Sequence, residues 1–298
     1  MRLGIDVGGT HTDAVIMMGS EILGQYKALT TPDILGGIGD ALAAVLEQSG
    51  DRAPAITSVM IGTTQFTNAV VARRGLHRTL AARISLPGGS AVPPLSGWPR
   101  DLADAIDGGS MFLHGGLEYD GREFAPIIDE EIAALVAMLE GEKTKQVAIT
   151  SPFSPLTPDH ELRVAEAIRQ TIPDARITCS HEIGGLGLLD RENATVLNAS
   201  LSPLASQVVA ALDTAVRKEG IPAPVYISQN DGTLMNAEIA RKYPVMTFSS
   251  GPTNSMRGAL CLSRVKDAIV VDVGGTCLLY TSDAADEGLG VDLGGRRI

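Results

Sequence analysis

A glycine-rich turn near the start of the chain reads Asp6-Val7-Gly8-Gly9-Thr10-His11-Thr12-Asp13. It joins two segments rich in apolar and β-branched residues, so the pattern predicts two strands and a tight turn between them. Glycine lets backbone N–H groups approach a ligand closely, and an acidic residue before the turn can hold a hydrated Mg²⁺ ion. The turn therefore predicts a nucleotide phosphate site. The residues assigned to it are Gly8, Gly9, Thr10 and Thr12 as phosphate donors and Asp6 as the metal ligand.

Two common phosphate-binding motifs are excluded. The 298 residues contain no G-x-x-x-x-G-K-[ST] sequence, and the turn leads into a strand rather than a helix. Neither a P-loop nor a Rossmann dinucleotide fold is therefore predicted.

The pattern returns near the other end of the chain as Ile269-Val270-Val271-Asp272-Val273-Gly274-Gly275-Thr276. One such turn is often structural, but two copies in one chain favour a functional role. On these residues the chain resembles the actin-like ATPase superfamily, in which two duplicated domains each offer a phosphate-binding hairpin to ATP. The resemblance implies an α/β fold of the actin-like, ribonuclease H-like type, with the first domain and the beginning of the second, and ATP and Mg²⁺ as cofactors. It assigns Gly274, Gly275 and Thr276 to the second hairpin, and catalytic and metal-binding roles to Asp6 and Asp272.

Further motifs narrow the resemblance. In order and spacing, the chain is similar to the hydantoinase/oxoprolinase family at Gly62-Thr63-Thr64-Gln65-Phe66-Thr67-Asn68-Ala69, Arg191-Glu192-Asn193-Ala194-Thr195 and Ser228-Gln229-Asn230-Asp231-Gly232-Thr233. This resemblance implies an ATP-dependent hydrolase that opens a cyclic amide such as a hydantoin or 5-oxoproline, while relatives carboxylate ketones. Phosphorylating the oxygen of a poorly electrophilic lactam activates it toward water, and this chemistry requires mainly positioning and charge neutralisation.

Five polar residues in these motifs are candidate substrate contacts, namely Thr63, Thr64, Asn68, Asn230 and Asp231. Each has a structural alternative, because such residues cap helices at strand–helix junctions and form Asx turns before glycine. One segment departs from the family pattern. Thr253-Asn254-Ser255-Met256-Arg257 follows the family-like Ser250-Gly251-Pro252, where a run of small residues is usual.

Alternating β-rich and helical patterns predict a mainly parallel sheet with helices on its faces. Strands are predicted at residues 2–7, 12–17, 22–28, 59–61, 146–150, 175–179 and 225–228. Helices are predicted at residues 31–50, 66–75, 158–172 and 194–218. Residues 88–107 contain several Gly and Pro residues and predict a long surface loop or flap.

Composition limits the partners. The 24 Lys and Arg residues against 35 Asp and Glu residues give a net charge of −11, which argues against nucleic acid. The sequence has no apolar run long enough to cross a membrane and no apolar signal core at its N-terminus. A cytoplasmic location is therefore expected. Widely spaced cysteines and scattered histidines predict no disulfide framework or metal motif, and Cys179 and Cys261 are expected to be buried thiols. The resemblance implies a small cyclic amide substrate and allows a second, hydantoinase B-type subunit.

Three regions are predicted. Residues 1–185 form the hydantoinase/oxoprolinase N-terminal region with the first phosphate hairpin, and residues 186–276 begin the hydantoinase A domain. Residues 277–298 resemble an in-frame translation of a sequencing-library adapter, so they are interpreted as a non-native tail on a truncated, inactive fragment. Three alternatives remain open: an ATP-dependent ketone carboxylase subunit, a small-metabolite kinase of the same superfamily, and a non-catalytic nucleotide-binding activator.

Overall fold

The computed structural model describes residues 1–30, 34–50, 52–141, 145–263, 265, 269–273 and 278–281. The elements in chain order are β1 (Arg2–Val7), β2 (His11–Met18), β3 (Glu21–Leu29), α1 (Ile34–Gln48), β4 (Ser58–Thr63), α2 (Gln65–Ala72), β5 (Thr79–Leu86), α3 (Arg100–Ile106), β6 (Asp107–His114), α4 (Asp129–Gly141), β7 (Gln146–Thr150), α5 (Asp159–Thr171), β8 (Arg176–Cys179), α6 (Leu188–Lys218), β9 (Val225–Ser228), β10 (Leu234–Asn236), α7 (Ala237–Lys242), α8 (Ser250–Ser263), β11 (Val270–Val273) and β12 (Leu278–Thr281).

The chain divides into two compact units. The first contains residues 1–68 and 205–298, and the second contains residues 69–204. The sequence regions 1–185, 186–276 and 277–298 follow motifs rather than compactness, and that division stays a prediction.

The first unit contains a six-stranded mixed sheet in the order β10-β9-β4-β1-β2-β3. β1 pairs antiparallel with β2 and parallel with β4, and β9 pairs parallel with β4. Alternate residues of β1, Leu3, Ile5 and Val7, are buried, as expected of a strand with one face on a core. The carboxyl ends of β1, β4 and β9 meet at one edge of this sheet, which is where open α/β sheets bind ligands.

The second unit contains a four-stranded, wholly parallel sheet in the order β6-β5-β7-β8. Its core joins residues of β5 and β7 to α4 and α5, for example Leu80, Ile149, Leu135 and Ile168. The parallel pairing that the alternation of strands and helices predicts is found in this sheet, but the expectation of a single sheet is wrong. The predicted strands are distributed over two sheets, and the antiparallel meander β1–β3 makes the first sheet mixed.

The loop expected at residues 88–107 is shorter than predicted, because α3 begins at Arg100. The remaining loop is held by a buried side chain of β5. Arg83 Nη1 donates to the carbonyl oxygens of Gly89 at 2.8 Å and Val92 at 2.6 Å. Trp98 Nε1 donates to Asn193 Oδ1 at 2.9 Å. These contacts hold the loop against β5 and α6 within the second unit.

Helix α6 begins at Leu188, six residues before the predicted start. Its first turns contain Arg191 and Glu192. Charged residues suggest a solvated segment, but these two are only 2% and 3% exposed. Glu192 forms a two-bond ion pair with Arg83, in which Nε and Nη2 each donate at 2.5 Å. By length and composition α6 could cross a membrane, but 61% of its most apolar window is buried inside the protein, as in the core helix of a folded domain.

Glu161 is fully buried at the carboxyl edge of the second sheet. Its Oε1 accepts from Ser151 N and Ser180 Oγ, and its Oε2 accepts from the backbone and Nδ1 nitrogens of His181. The side chain of Cys179 lies near enough for Glu161, Cys179 and His181 to form a group of potential metal ligands within 4.8 Å. Because four donors already occupy the carboxylate, we interpret the group as a hydrogen-bond network.

Cys261, expected to be buried, is exposed on α8.

Candidate functional site

The glycine-rich turn lies between β1 and β2 at the carboxyl edge of the first sheet. Asp6 is exposed near the end of β1, and strand register aligns it with Gly62 of β4 and Asp13 of β2. Asp13 in turn pairs in register with Lys27 of β3, and the Lys27 Nζ atom lies 3.1 Å from Asp13 Oδ1. The edge therefore places two carboxylates on neighbouring strands, with a lysine beside Asp13.

Gly8 and the following residues form a tight turn. The Gly8 amide donates to the His11 carbonyl at 2.9 Å, and a Cβ atom added at Gly8 would lie 2.9 Å from that same oxygen. A side chain at position 8 is therefore excluded by close backbone approach. Among the described residues, the Gly9 and Thr10 amides donate to no acceptor. No described residue therefore competes with an anion for these two N–H groups, and their role in phosphate binding stays a prediction.

The hydroxyl groups on the turn have different environments. Thr10 is exposed, and its Oγ1 lies 3.1 Å from His11 Nδ1. Thr12 is 1% exposed, and its Oγ1 lies 3.2 Å from Thr30 Oγ1. Thr30 also donates through Oγ1 to the Gly8 carbonyl at 3.0 Å. In this geometry Thr12 supports the turn from the interior through Thr30, a residue for which the sequence carries no motif signal.

The junction of β4 and α2 brings together three predicted substrate residues. Thr63 is buried and its Oγ1 accepts from Gln65 N at 3.2 Å, which is the capping role of the structural alternative. Thr64 donates from its amide to the Val7 carbonyl at 3.3 Å, and Asn68 Nδ2 donates to Thr64 Oγ1 at 3.2 Å. The junction is thereby fastened to the end of β1, beside the glycine-rich turn.

Asn230 and Asp231 lie in the turn between β9 and β10. Asp231 Oδ1 accepts from the amide and hydroxyl of Thr233, at 2.8 and 2.7 Å, so Asp231 forms the Asx turn that was the alternative to substrate contact. These hydrogen bonds from Thr233, the hydroxyl first and then the amide, hold the pKa of the exposed Asp231 carboxyl below its ordinary value. The backbone of Asn230 donates to the Met246 carbonyl and accepts from Thr253 Oγ1, each at 2.8 Å.

Helix α8 adds a residue that motif analysis does not assign to the site. A Cβ atom placed on Gly62 would lie 2.8 Å from Asp6 Oδ1 and 3.3 Å from Asn254 Nδ2. The absence of a side chain at Gly62 therefore leaves room for a carboxylate from β1 and a carboxamide from α8. The signal that could have identified Asn254 is its departure from the small-residue run of the family.

The second predicted hairpin is described only in part. Asp272 lies in β11, which pairs antiparallel with β12 so that Asp272 is opposite Leu279. The predicted phosphate residues Gly274, Gly275 and Thr276 lie outside the described residues. The roles of Asp272 and of these three residues stay predictions.

Two family descriptions match the chain: Hydantoinase/oxoprolinase N-terminal region over residues 2–172, and Hydantoinase/oxoprolinase over residues 191–284. Among curated proteins, the chain is 28% identical over 305 residues to the caprolactamase subunit alpha of Pseudomonas jessenii, covering 92% of this chain and 42% of the relative. It is 25% identical over 308 residues to the acetophenone carboxylase gamma subunit of Aromatoleum aromaticum, covering 91% and 41%.

Two solved structures share the fold. A nucleotide-free acetone carboxylase superposes with a TM-score of 0.77 at 20% identity, over 95% of this chain and 44% of that one. The ATP-dependent caprolactamase from Pseudomonas jessenii superposes with a TM-score of 0.75 at 26% identity, over 94% and 43%. These likenesses confirm the predicted α/β fold of the actin-like ATPase type. The chain spans less than half the length of each of these relatives.

Proposed function

Because the chain belongs to the hydantoinase/oxoprolinase family, we propose that the full-length protein is an ATP-dependent hydrolase that opens a cyclic amide of the lactam or hydantoin type. The observation that carries the proposal is the family match over both regions of the chain. A relative named caprolactamase subunit alpha, aligned over 92% of this chain, supports the cyclic-amide assignment. Since the chain covers 42% of that relative, the activity is proposed for the whole protein.

The described residues fit a nucleotide phosphate and its metal ion. The close approach of the His11 carbonyl keeps position 8 free of a side chain, and the amides of Gly9 and Thr10 are available as donors. We assign phosphate contacts to these amides and to the Thr10 hydroxyl, and a Mg²⁺-bound water to the exposed Asp6 carboxylate. When bound, ATP would supply the phosphoryl group that activates the amide oxygen.

The protein's own contribution is to hold these groups in place. The hydrogen bonds of Thr30 fix the turn, and those of Thr64 and Asn68 fix the β4–α2 junction against β1. A preorganised set of donors at this edge neutralises developing charge without reorganising during the reaction. Asp272 and the Gly274–Thr276 motif are proposed to complete the phosphate site.

Ketone carboxylation is the second candidate. It is favoured by the 25% identity to the acetophenone carboxylase gamma subunit. Both reactions use ATP to activate a carbonyl compound, so the products, rather than the nucleotide site, separate them.

A partner subunit is also proposed. The two curated relatives are named as an alpha and a gamma subunit, which supports assembly of this protein with a second chain. Co-purification of the full-length protein with the product of a neighbouring gene tests this proposal.

Product analysis of the full-length protein tests the reaction. We expect caprolactam, hydantoin or 5-oxoproline to stimulate ATP hydrolysis, with one ring-opened acid formed per phosphate released. A phosphorylated metabolite would instead identify a kinase, and bicarbonate-dependent formation of a β-keto acid would identify a carboxylase. ATP binding without turnover of any cyclic amide or ketone would identify an activator module.

A further inference from the structure

Helix α8 is fixed to the candidate site by two side chains on either side of Asn254. Thr253 Oγ1 donates to the Asn230 carbonyl at 2.8 Å, and Arg257 Nη1 donates to the Gly232 carbonyl. The turn between β9 and β10 is thus bonded to the helix both before and after Asn254. A side chain between two such anchors has a defined position, as a ligand-binding group requires.

The Asn254 carboxamide lies beside the Asp6 carboxylate. Both Asp6 Oδ1 and Asn254 Nδ2 lie within 3.3 Å of the point at which a Gly62 Cβ would stand. Asn254 is half-buried, and its carboxamide makes no hydrogen bond with any residue that the structure describes. It is therefore a positioned donor and acceptor at the carboxyl edge of β1 and β4 that the described residues leave unengaged.

The other polar side chains at this edge are already engaged. Thr63 caps α2, Asn68 donates to Thr64, and Asp231 accepts from Thr233. Asn254 differs from these three side chains in that neither its donor nor its acceptor has a partner among the described residues.

We propose that Asn254 is a substrate-binding residue that recognises the amide group of the cyclic amide. This proposal rests on the proposed function. Ring closure holds a small cyclic amide in the cis form, so its N–H donor and C=O acceptor point to the same side. A planar carboxamide carries one acceptor and one donor group with the complementary spacing, so a single side chain can bond both. The contact would bring the substrate carbonyl to the same edge as Asp6 and the glycine-rich turn.

The test compares an unsubstituted ring with one that lacks the N–H. We measure kcat/KM of the full-length enzyme for caprolactam and for N-methylcaprolactam, in the wild type and in Asn254→Ala, with Ser255→Ala as the control on the adjacent residue of α8. A site built to bond a polar group discriminates against an analogue that lacks it, so the wild type should prefer caprolactam by at least about tenfold. In Asn254→Ala, kcat/KM for caprolactam should fall by about tenfold or more. The ratio of kcat/KM for caprolactam to that for N-methylcaprolactam should therefore fall to about three or less. The KM for ATP and the preference of Ser255→Ala should remain those of the wild type.

Asn254→Ser provides a second variant if Asn254→Ala does not fold, because the shorter hydroxyl keeps polarity but cannot bond both groups of the amide. The proposal is overturned if either variant keeps the wild-type preference, or if the wild type does not discriminate between the two rings. If the wild type turns over no cyclic amide at all, the proposed function fails and this inference fails with it. Turnover of caprolactam with unchanged discrimination in the variants removes only the role of Asn254.

Discussion

At the scale of single residues, Gly62 has a definite steric role. Strand register places it beside Asp6, and its missing side chain leaves space for the carboxylate and for the carboxamide of Asn254. The sequence predicts that the motif containing Gly62 contacts substrate through its threonines and asparagine. The structure shows that the glycine itself shapes the edge.

Gly62→Ala tests this role. The added methyl carbon would stand 2.8 Å from Asp6 Oδ1, so the carboxylate must move. We expect amide-dependent ATP hydrolysis by the full-length enzyme to fall about 100-fold, since small misplacements of this kind are costly. Gly39→Ala is the matched control, because a Cβ at this position of α1 meets no atom within 4 Å. It should leave activity unchanged and stabilise the protein by about 0.5–1 kcal/mol. Equal activity in the two variants would contradict the assignment.

Asp231 predicts a pH dependence of stability. The pKa of its carboxyl is lowered in the folded protein, so its stabilising contribution is present above the unfolded pKa, near pH 4, and is lost as the pH falls through the folded value. Because the group is exposed, the contribution should be well below about 1 kcal/mol. Asp231→Asn and Thr233→Ala should each be less stable than the wild type at pH 7, and the difference should shrink below pH 4 in urea unfolding. A difference that is constant from pH 7 to pH 3 would exclude the effect.

At the scale of secondary-structure elements, hydrophobic patterning predicts much of the fold. The meander β1–β3 and the strands β7 and β9 follow the apolar pattern, and the structure confirms them. The start of α6 was missed because Arg191 and Glu192 are charged, and one sequence gives no sign of the distant residues that allow such charges to be buried. Arg83 is 109 residues away from Glu192.

The Arg83–Glu192 pair predicts a large effect on stability. Removing one partner leaves a buried charge uncompensated, so Glu192→Ala should lower the free energy of unfolding by about 3–5 kcal/mol. The loss should be smaller in the double variant Arg83→Met/Glu192→Leu than the two single losses together, because neither charge remains. Asp213→Ala removes an exposed i,i+4 partner of Arg217 on the same helix and should change stability by no more than about 0.5 kcal/mol. Similar losses in Glu192→Ala and Asp213→Ala, measured by urea unfolding, would show that the buried pair is unimportant.

At the scale of the whole molecule, the resemblance seen in the sequence predicts the family correctly, while the division into units required the structure. β9 belongs to the same sheet as the glycine-rich turn, although it follows that turn by more than 200 residues. In chain order, β9 comes after all residues of the second unit. The order of motifs along the chain does not show that β9 pairs with β4, because pairing between strands far apart in sequence is determined by packing in the folded sheet. For the same reason the departure at Asn254 is visible in the sequence, but its proximity to Asp6 is visible only in the structure.

The amide-dependent ATP hydrolysis rate of the full-length enzyme with Asp6→Asn tests directly whether the carboxyl end of β1 binds the phosphates. This substitution keeps the shape of the side chain at the end of β1 and removes its charge. If Asp6 holds the metal-bound water beside the phosphates, the rate should fall about 100-fold or more while the protein remains folded. Wild-type activity in Asp6→Asn would show that this edge of the sheet is not the phosphate site.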